Sequence, residues 1–512
     1  MSYTITQMIR GKPYAYRVDA HWDKDKKQSR QKRTYLGRID EETGEIIPKT
    51  AEREVSLSKT FGPAYLLANL AEQAGLVDRL RAAFGAQAEA ILAAAVMRMI
   101  RPEALRHLQP LLEESYLPEL LGLEKDMGSQ RLSELLISIG KDERAVRDFF
   151  RSMVKKEDVL IFDITSLSSR SRRLDLLEFG SDYRSTGLPQ VNFGMVVSME
   201  TAMPLFYKLF PGSITDVVTL KNLMHDAQDL GVQKCTFILD RGFYSIANVE
   251  RMLREGMDFI MPLPFGKGLA KTLLSRSNKP LEDPRSACIF DGEVYRVHGS
   301  STDFAGRQVR TFVIVSDERM MEGRHTLYSR VTDIERDLEG RDWHPRMRVV
   351  LRRVAKRLAP IFILKNVNGK VHLERRRNAM AQALNRCGKM ILLTSTDMDW
   401  QSALTIYRQR FEVEAEFDQL KDPLDIEPLR VSSPDSFRGL MFISFVSLVL
   451  RTFMMRRAAQ AKLLDRRWID DMLLELAKLK VTKIGETWRL NEVKKKQRDL
   501  MVALGVTPPF EL

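Results

Sequence analysis

The order of apolar runs between residues 159 and 264 constrains the fold more than any other feature of the chain. Three strand-like runs come first, and two helical stretches then alternate with two further strand-like runs. Consecutive strands followed by alternating helices and strands are typical of a mixed sheet covered by helices. The runs are VLIFDITS, VNFGMVVS, PLFYKLF, CTFILD and DFIMPLP, with helices near residues 217–230 and 246–255. We therefore predict an α/β fold.

Charge and composition favour a polyanionic partner. The 512 residues are 44 % hydrophobic, which is enough for several cores, and the formal charge is +13. Lys and Arg that neutralise phosphates release counterions from nucleic acid, so a basic protein of this size is suited to DNA.

Cysteines and apolar runs indicate a cytoplasmic protein. Cys235, Cys288 and Cys387 form no CxxC pair, so the sequence predicts neither a disulfide framework nor a zinc ribbon. The first residues lack the apolar core of a signal peptide, and the longest apolar run, residues 439–450, is too short to span a bilayer. We expect no membrane association.

Changes in periodicity divide the chain into six predicted parts. The strand-like start is an N-terminal β arm, and the helical region after it contains a possible helix-turn-helix at residues 129–150 that suits DNA binding, although helical hairpins are common. The parts are a β arm (1–57), a helical, DNA-binding domain (58–157), the first part of the α/β core (158–263), a β-rich insertion (264–388), the second part of the core (389–430) and a C-terminal helical region (431–512).

Three acidic residues occupy positions that suit a shared site. Two follow apolar runs that predict buried strands, and the third lies on a predicted helix. Asp163 ends the run VLIF, Asp240 ends TFIL, and Glu414 lies on a predicted helix. Carboxylates brought to about 4 Å repel by about 4 kcal/mol per pair at an effective dielectric constant near 20, and divalent metal offsets this. Mg²⁺ prefers such oxygen ligands and serves phosphoryl transfer. For one strand-end aspartate, a cap or turn role is the commoner alternative.

The segment YRQRFEVEAEFDQLK, residues 407–421, predicts a helix with one polar face. At about 100° per residue, its polar positions share an arc of about 60° next to an apolar stripe. The positions are Tyr407, Arg410, Glu414 and Lys421. One carboxylate, two cations and a phenol suit a helix that lines a phosphate-handling cleft.

These motifs together resemble the DDE transposases of bacterial insertion sequences. The closest subgroup carries a β-rich insertion between the second Asp and the Glu, and shares the Tyr-x2-Arg-x3-Glu-x6-Lys spacing. The stretches LPQVNFGMVVS, LDRGFYS and RGLMFISFVSLVLR are also similar to that subgroup. The sequence departs from it in the basic loop SLSSRSRRLD and in lacking a second acidic residue before LPQ.

The resemblance implies a ribonuclease H-like core and a set of site roles. Mg²⁺, with Mn²⁺ as a substitute, would be bound by Asp163, Asp240 and Glu414, and phosphate or DNA ends by Tyr407, Arg410 and Lys421. It further implies double-stranded DNA partners, namely terminal inverted repeats and target DNA, dimeric synapsis, and a nucleoid-associated bacterial protein.

Other residues were weighed against these roles. Arg241 follows Asp240 and can reach a phosphate, but a structural salt bridge is equally consistent with it. Asp418 is the main rival of Glu414, and Ser168 or Tyr407 would be the nucleophile of a recombinase. Trp343 and Phe304 could stack on an unpaired base, although core packing is the commoner role.

Two alternative functions stay open at this point. A metal-dependent nuclease or resolvase on the same fold would cut DNA without joining it. A catalytically silent DNA-binding regulator would do neither.

Overall fold

The computed structural model describes most of the chain in two compact units. The described residues are 2–9, 12–23, 28–40, 43–48, 55–102, 105–123, 126–155, 157–169, 174–179, 188–213, 216–232, 234–410, 433–464 and 468–511. One unit comprises Met1–Leu70, Gln109–Glu124 and Arg457–Leu512, and the other comprises Ala71–Leu108 and Lys125–Arg456. The six predicted parts do not coincide with this division, since residues 58–157 contribute to both units, and their boundaries stay predictions.

The helices and strands of the described residues are numbered in chain order. The helices α1 to α17 are Gly62–Gln73, Leu76–Phe84, Ala88–Ile100, Leu108–Glu113, Leu117–Leu121, Ser129–Lys141, Glu143–Met153, Asp216–Asp229, Ile246–Arg254, Gly268–Glu282, Asp317–Leu338, Met347–Ala355, Arg377–Arg386, Trp400–Arg408, Pro434–Gln460, Ile469–Leu476 and Lys495–Ala503. The strands β1 to β18 are Ser2–Ile9, Lys12–Asp23, Gln28–Ile39, Ile46–Pro48, Val55–Thr60, Glu157–Ser168, Gln190–Ser198, Pro204–Pro211, Lys234–Ile238, Asp258–Pro262, Ala287–Phe290, Glu293–Phe304, Arg307–Ser316, Phe362–Val367, Lys370–Arg375, Lys389–Thr394, Lys480–Ile484 and Thr487–Leu490.

The first unit contains two small antiparallel sheets. Strands β1 to β4 pair in chain order, and β1 exposes nearly all of its residues. The second sheet joins β5 to the hairpin β17–β18. The C-terminal region, predicted as helical, contains this hairpin in addition to its helices. Gly485, with a φ of 62°, makes the tight turn of a hairpin whose strands are too short to give a clear alternating pattern.

A large mixed sheet organises the second unit. Within the described residues its strand order is β11-β12-β13-β16-β10-β9-β6-β7-β8. Strand β9 lies between β6 and β10 and is parallel to both. Each remaining strand is antiparallel to its neighbour, namely β7 and β8 on one side and β16, β13, β12 and β11 on the other. The chain therefore has a mixed α/β fold, and this sheet is consistent with a ribonuclease H-like domain.

The central strands are apolar because both faces of the sheet are covered. Every residue of β7 is buried, and Leu160, Ile161 and Phe162 of β6 are completely inaccessible to solvent. Strands buried on both faces read as continuous apolar runs. This is why the five runs that predicted the fold correspond to β6 through β10.

The segment predicted as a β-rich insertion contains helices as well as strands. Its strands β11, β12 and β13 extend the large sheet through β16. Its hairpin β14–β15 instead packs with α11, α12 and α13 around a separate cluster that includes Val331, Leu351 and Val371. The strands were recognised by alternation, whereas the mostly exposed residues of α11 give little apolar signal in the sequence.

Helix α15 is longer than its apolar run suggests. It spans 27 residues, and both it and residues 76–100 are apolar enough to pass for membrane spans. In the apolar window of α15, 89 % of the residues are buried within the protein. A buried core helix satisfies the same test of length and composition as a membrane span.

Candidate active site

Parallel pairing brings the backbones of Asp163 and Asp240 together. Ile161 of β6 pairs with Ile238 of β9, and each aspartate follows its paired isoleucine by two residues. Neighbouring strands lie about 4.8 Å apart. The backbones of the two aspartates therefore lie at adjacent positions just past the last paired residues of β6 and β9. This is the end where β9 and β10 finish, which we call the carboxyl end of the sheet.

The carboxylate of Asp240 is held by a guanidinium group. Oδ1 of Asp240 accepts a hydrogen bond of 2.8 Å from Nη1 of Arg410, and the same nitrogen lies 3.4 Å from the hydroxyl oxygen of Tyr407. The side chain of Arg410 is 13 % exposed and that of Asp240 is 36 % exposed. A charge-assisted pair with one accessible partner leaves the carboxylate reachable by a cation or a substrate.

Helix α14 carries Tyr407 to this point. The helix begins at Trp400 because the Asp399 carboxylate accepts a 2.8 Å hydrogen bond from the backbone N–H of Ser402, which caps the first turn. That hydrogen bond also lowers the pKa of Asp399. Leu404 is buried against residues of β10, β13 and β16, so the helix lies on one face of the sheet.

Arg408 fixes the other end of α14 and was missed by sequence reasoning. Its guanidinium group donates to the hydroxyl of Tyr295 and lies 3.3 Å from the carboxylate of Asp291. Burial and the hydrogen bond to Glu293 raise the pKa of Tyr295. Arg408 follows Tyr407 directly, so it points about 100° away from the predicted polar face. Its partners are more than 110 residues away in the sequence, so no local pattern identifies it.

The helix predicted over residues 407–421 is only partly described. Helix α14 ends at Arg408, and the backbone N–H of Gln409 turns back to the carbonyls of Thr405 and Ile406. Arg410 comes directly after this turn. Glu414 and Lys421, together with the rival Asp418, lie outside the described residues, so their predicted roles stay predictions.

A buried polar network stiffens β6 and β7 beyond Asp163. The Gln190 amide donates to Ser166 Oγ at 2.9 Å and to the carbonyl of Gly212 at 3.3 Å, and Ser166 Oγ donates to the Asn192 amide oxygen at 3.0 Å. Gln190 is 1 % and Asn192 7 % exposed. Buried amides with satisfied hydrogen bonds specify a single arrangement, which gives the LPQVNF stretch a positioning role.

Three further predicted residues differ in their surroundings. Arg241 is exposed in the short turn Arg241–Phe243 that follows Asp240. Phe304 is only 5 % exposed, and Trp343 packs partly buried against the cluster formed by α11, α12 and β15. Core packing therefore accounts for both aromatic side chains.

The donor chemistry at the carboxyl end suits a divalent cation. Carboxylate oxygens are ligands that Mg²⁺ prefers, and the Asp240 carboxylate is accessible. Within the described residues, no group of three or more His, Cys, Asp or Glu side chains lies close enough to hold a metal ion. Glu414 and the side chain of Asp163 lie outside the described part of the chain, so their roles as ligands stay predictions.

Comparison with known families identifies the class of the protein. The model of the transposase DDE domain family matches residues 155–450, more than half of the 512 residues. The chain belongs to this family of transposases, which act on DNA and generally use divalent metal ions. No curated protein matches the chain.

Proposed function

We propose that the protein is a DNA transposase that cleaves the ends of an insertion sequence and joins the released 3′-OH to target DNA. The observation that carries the proposal is the common register of β6 and β9, which starts Asp163 and Asp240 from neighbouring backbone positions. The Arg410 side chain on Asp240 supports it. The proposal includes the subgroup defined by Tyr407, Arg410, Glu414 and Lys421.

Asp163, Asp240 and Glu414 would hold Mg²⁺, with Mn²⁺ as a substitute. Bound there, the ions would supply polarisation of the phosphate and activation of a water molecule. Asp240 contributes an accessible carboxylate oxygen, while Arg410 keeps that carboxylate oriented through its hydrogen bond. Because Asp163 lies on β6 and Asp240 follows the neighbouring β9, the sheet fixes the spacing of their backbones.

The proposed reaction has two phosphoryl-transfer steps. In cleavage, the oxygen of water bonds to phosphorus at the element end, the bond from phosphorus to the 3′ oxygen breaks, and that oxygen is released protonated as the 3′-OH. In joining, this hydroxyl oxygen attacks a phosphorus of the target strand, its proton passes to solvent, and the target's own 3′ oxygen departs. Arg410 and Tyr407 stand beside Asp240, where they can stabilise the negative charge that develops on the phosphate oxygens. Neither step needs ATP or a covalent enzyme intermediate.

Substrate binding completes the proposal. The N-terminal β arm, the helical region of residues 58–157 and the insertion would hold the terminal inverted repeats and the target DNA. A homodimer would bring the two element ends together. The protein would act in the bacterial cytoplasm, at the nucleoid.

A strand-transfer assay with a single-residue variant tests the proposal. Two labelled duplexes are built from an inverted repeat mapped in the DNA beside the gene, one uncut to measure cleavage and one pre-cut to measure joining. A supercoiled plasmid is the target, and the buffer contains Mg²⁺. We expect Asp163→Asn to lower cleavage and joining by about 10³-fold, equivalent to about 4 kcal/mol of transition-state stabilisation, while the duplex still binds.

Asp158→Asn is the matched control, because Asp158 lies on the same strand and pairs with Cys235 near the opposite end of β9. This variant should behave like the wild type. Full activity of Asp163→Asn would refute the site, and cutting by the wild type without joined products would show a nuclease instead.

A further inference from the structure

A groove lined by arginine side chains lies in the segment between β10 and β16. Its volume is about 690 Å³, and Glu322 is the carboxylate among its lining residues. The arginines come from α11, from the turn Lys356–Ile361 and from the end of α13. They are Arg319, Arg330, Arg357 and Arg386, which together define the arginine groove.

Among the described residues, none of the four guanidinium groups has an acidic oxygen within 4.0 Å. The pKa of Glu293 is lowered by its hydrogen bond with Tyr295 and also by the charge of Arg319, so Arg319 has a carboxylate in its wider surroundings. Other arginines of the same segment do form ion pairs, such as Arg336 with Asp333 at 3.4 Å and Arg375 with Glu335 at 2.6 Å. Like charges around one concavity repel, so the groove is an electrostatic site for an anion.

One wall of the groove precedes the strand that begins at the carboxyl end of the sheet. Strand β16 is antiparallel to β10, so β16 begins at that end, and Arg386 and Cys387 are separated from its first residue by Gly388 alone. The guanidinium carbon of Arg386 lies 5.8 Å from the ring centroid of Phe265, three residues beyond β10. Strand β10 alone separates β9 from β16. Across the sheet, β9 and β16 are therefore two strand spacings apart, which is about 10 Å.

We propose that the arginine groove binds phosphate groups of the DNA strand that leaves the carboxyl end of the sheet. The identity of the strand rests on the proposed function, while the anion preference rests on the groove itself. Guanidinium groups match phosphate oxygens in a bidentate geometry. Apolar side chains, among them Leu327 and Ile361, line the groove beside the arginines.

A pair of substitutions tests this assignment. Arg330 and Arg357 are exposed, so Arg330→Gln with Arg357→Gln should leave the fold intact. Binding is measured by fluorescence anisotropy over a series of salt concentrations, with an inverted-repeat duplex that carries a single-stranded extension. We expect about tenfold weaker binding and a slope of log K against log salt that is shallower by about 1.4, from two lost phosphate contacts on a single strand.

Arg336→Gln is the control, because Arg336 lies on the same helix, is paired with Asp333 and does not line the groove. It should leave the affinity and the slope unchanged. An unchanged slope in the double variant, or an equal loss in the control, would overturn the assignment. If the wild type binds no duplex at all, the proposed function fails rather than the groove.

Thiol protection gives a second readout. Cys387 lines the groove and is half-buried, as is Cys288, and burial raises the pKa of both thiols. Bound DNA should slow the alkylation of Cys387 but not that of Cys288, as followed by peptide mass spectrometry. Protection of Cys387 by inorganic phosphate but not by DNA would show that the groove takes a free anion, and would overturn the DNA strand as its occupant.

Discussion

The carboxyl end of the large sheet has an acidic half and a basic half. On β6 and β9 it carries Asp163 and Asp240, whereas around the start of β16 it carries Arg386, Lys389 and, at the start of α11, Arg319. Carboxylates there suit cation-assisted chemistry on a phosphodiester, and guanidinium groups suit holding a neighbouring phosphate. Under the proposed function the two halves would divide the labour along one sheet, with chemistry on the central strands and strand binding on the added ones.

The two halves also differ in how tightly their strands are packed. A Cβ atom at Gly194 of β7 would lie 2.9 Å from ring atoms of both Phe162 and Phe210. At Gly299 of β12, the nearest atoms belong to the ring of Phe312 at 3.5 Å, which is an ordinary contact. The central strands are therefore confined on all sides, while the outer strands leave room for change.

Removal of the Arg410 guanidinium group from the acidic half should lower activity less than the loss of Asp163, but more than any substitution in the basic half. Arg410→Ala leaves the Asp240 carboxylate without its 2.8 Å hydrogen bond and removes a positive charge from the phosphate. We expect cleavage to fall by about 10²-fold, in the range found when one preorganised donor is lost, and Arg410→Lys to recover part of it. Steady-state cleavage of the labelled duplex measures this.

Arg285→Ala is the comparison, because Arg285 pairs with Asp283 at 2.6 Å with a side chain that is 90 % exposed. Loss of that surface pair should not alter cleavage. If the Arg410→Ala variant cleaves at the wild-type rate, the pair between Arg410 and Asp240 is structural. The acidic half would then differ from the basic half in charge but not through a catalytic role of this pair.

Crowding in the central half should make its glycine intolerant of a methyl group. Gly194→Ala pushes on Phe162, the residue before Asp163, and we expect a loss of about 1–3 kcal/mol in the free energy of unfolding, as for other overpacked cores. Gly299→Ala should be neutral or slightly stabilising, because glycine weakens a strand interior. Urea denaturation of both variants measures the difference, and equal losses would show that the two halves are packed alike.

Sequence reasoning predicted the acidic half because its signal is local. Asp163 and Asp240 each end a continuous apolar run, and buried parallel strands give such runs. The same reasoning could foresee that strands β6, β9 and β10 share a sheet, since helices connect them. It could place Tyr407 and Arg410 side by side from their spacing of three residues.

The basic half could not be predicted in the same way. Arg319, Arg330, Arg357 and Arg386 are scattered over 68 positions, and only the packing of α11 and α13 brings them together. The sequence shows that this segment is locally basic, but the ion pairs of Arg336 and Arg375 use the same residue type. Which arginines are neutralised depends on tertiary contacts rather than on order along the chain.

The smallest expected effect concerns Lys389, which lies in the basic half. Burial lowers its pKa, and the nearby Arg296 and Arg324 lower it further. The charged form is therefore disfavoured in the folded protein. Below the folded pKa this charge destabilises the fold, and above the unfolded value of about 10.4 the penalty disappears.

Lys389→Met should therefore raise the melting temperature slightly at pH 7, by about 1 °C, although it also loses hydrogen bonds to Asn278 and Asn385. The gain over the wild type should shrink as the pH approaches 10.4. Lys279→Met, at an exposed position of α10, is the control and should show no such trend. If the difference in melting temperature stays constant with pH, the charge on Lys389 does not destabilise the fold. Repulsion between like charges in the basic half would then be too weak to favour a bound anion.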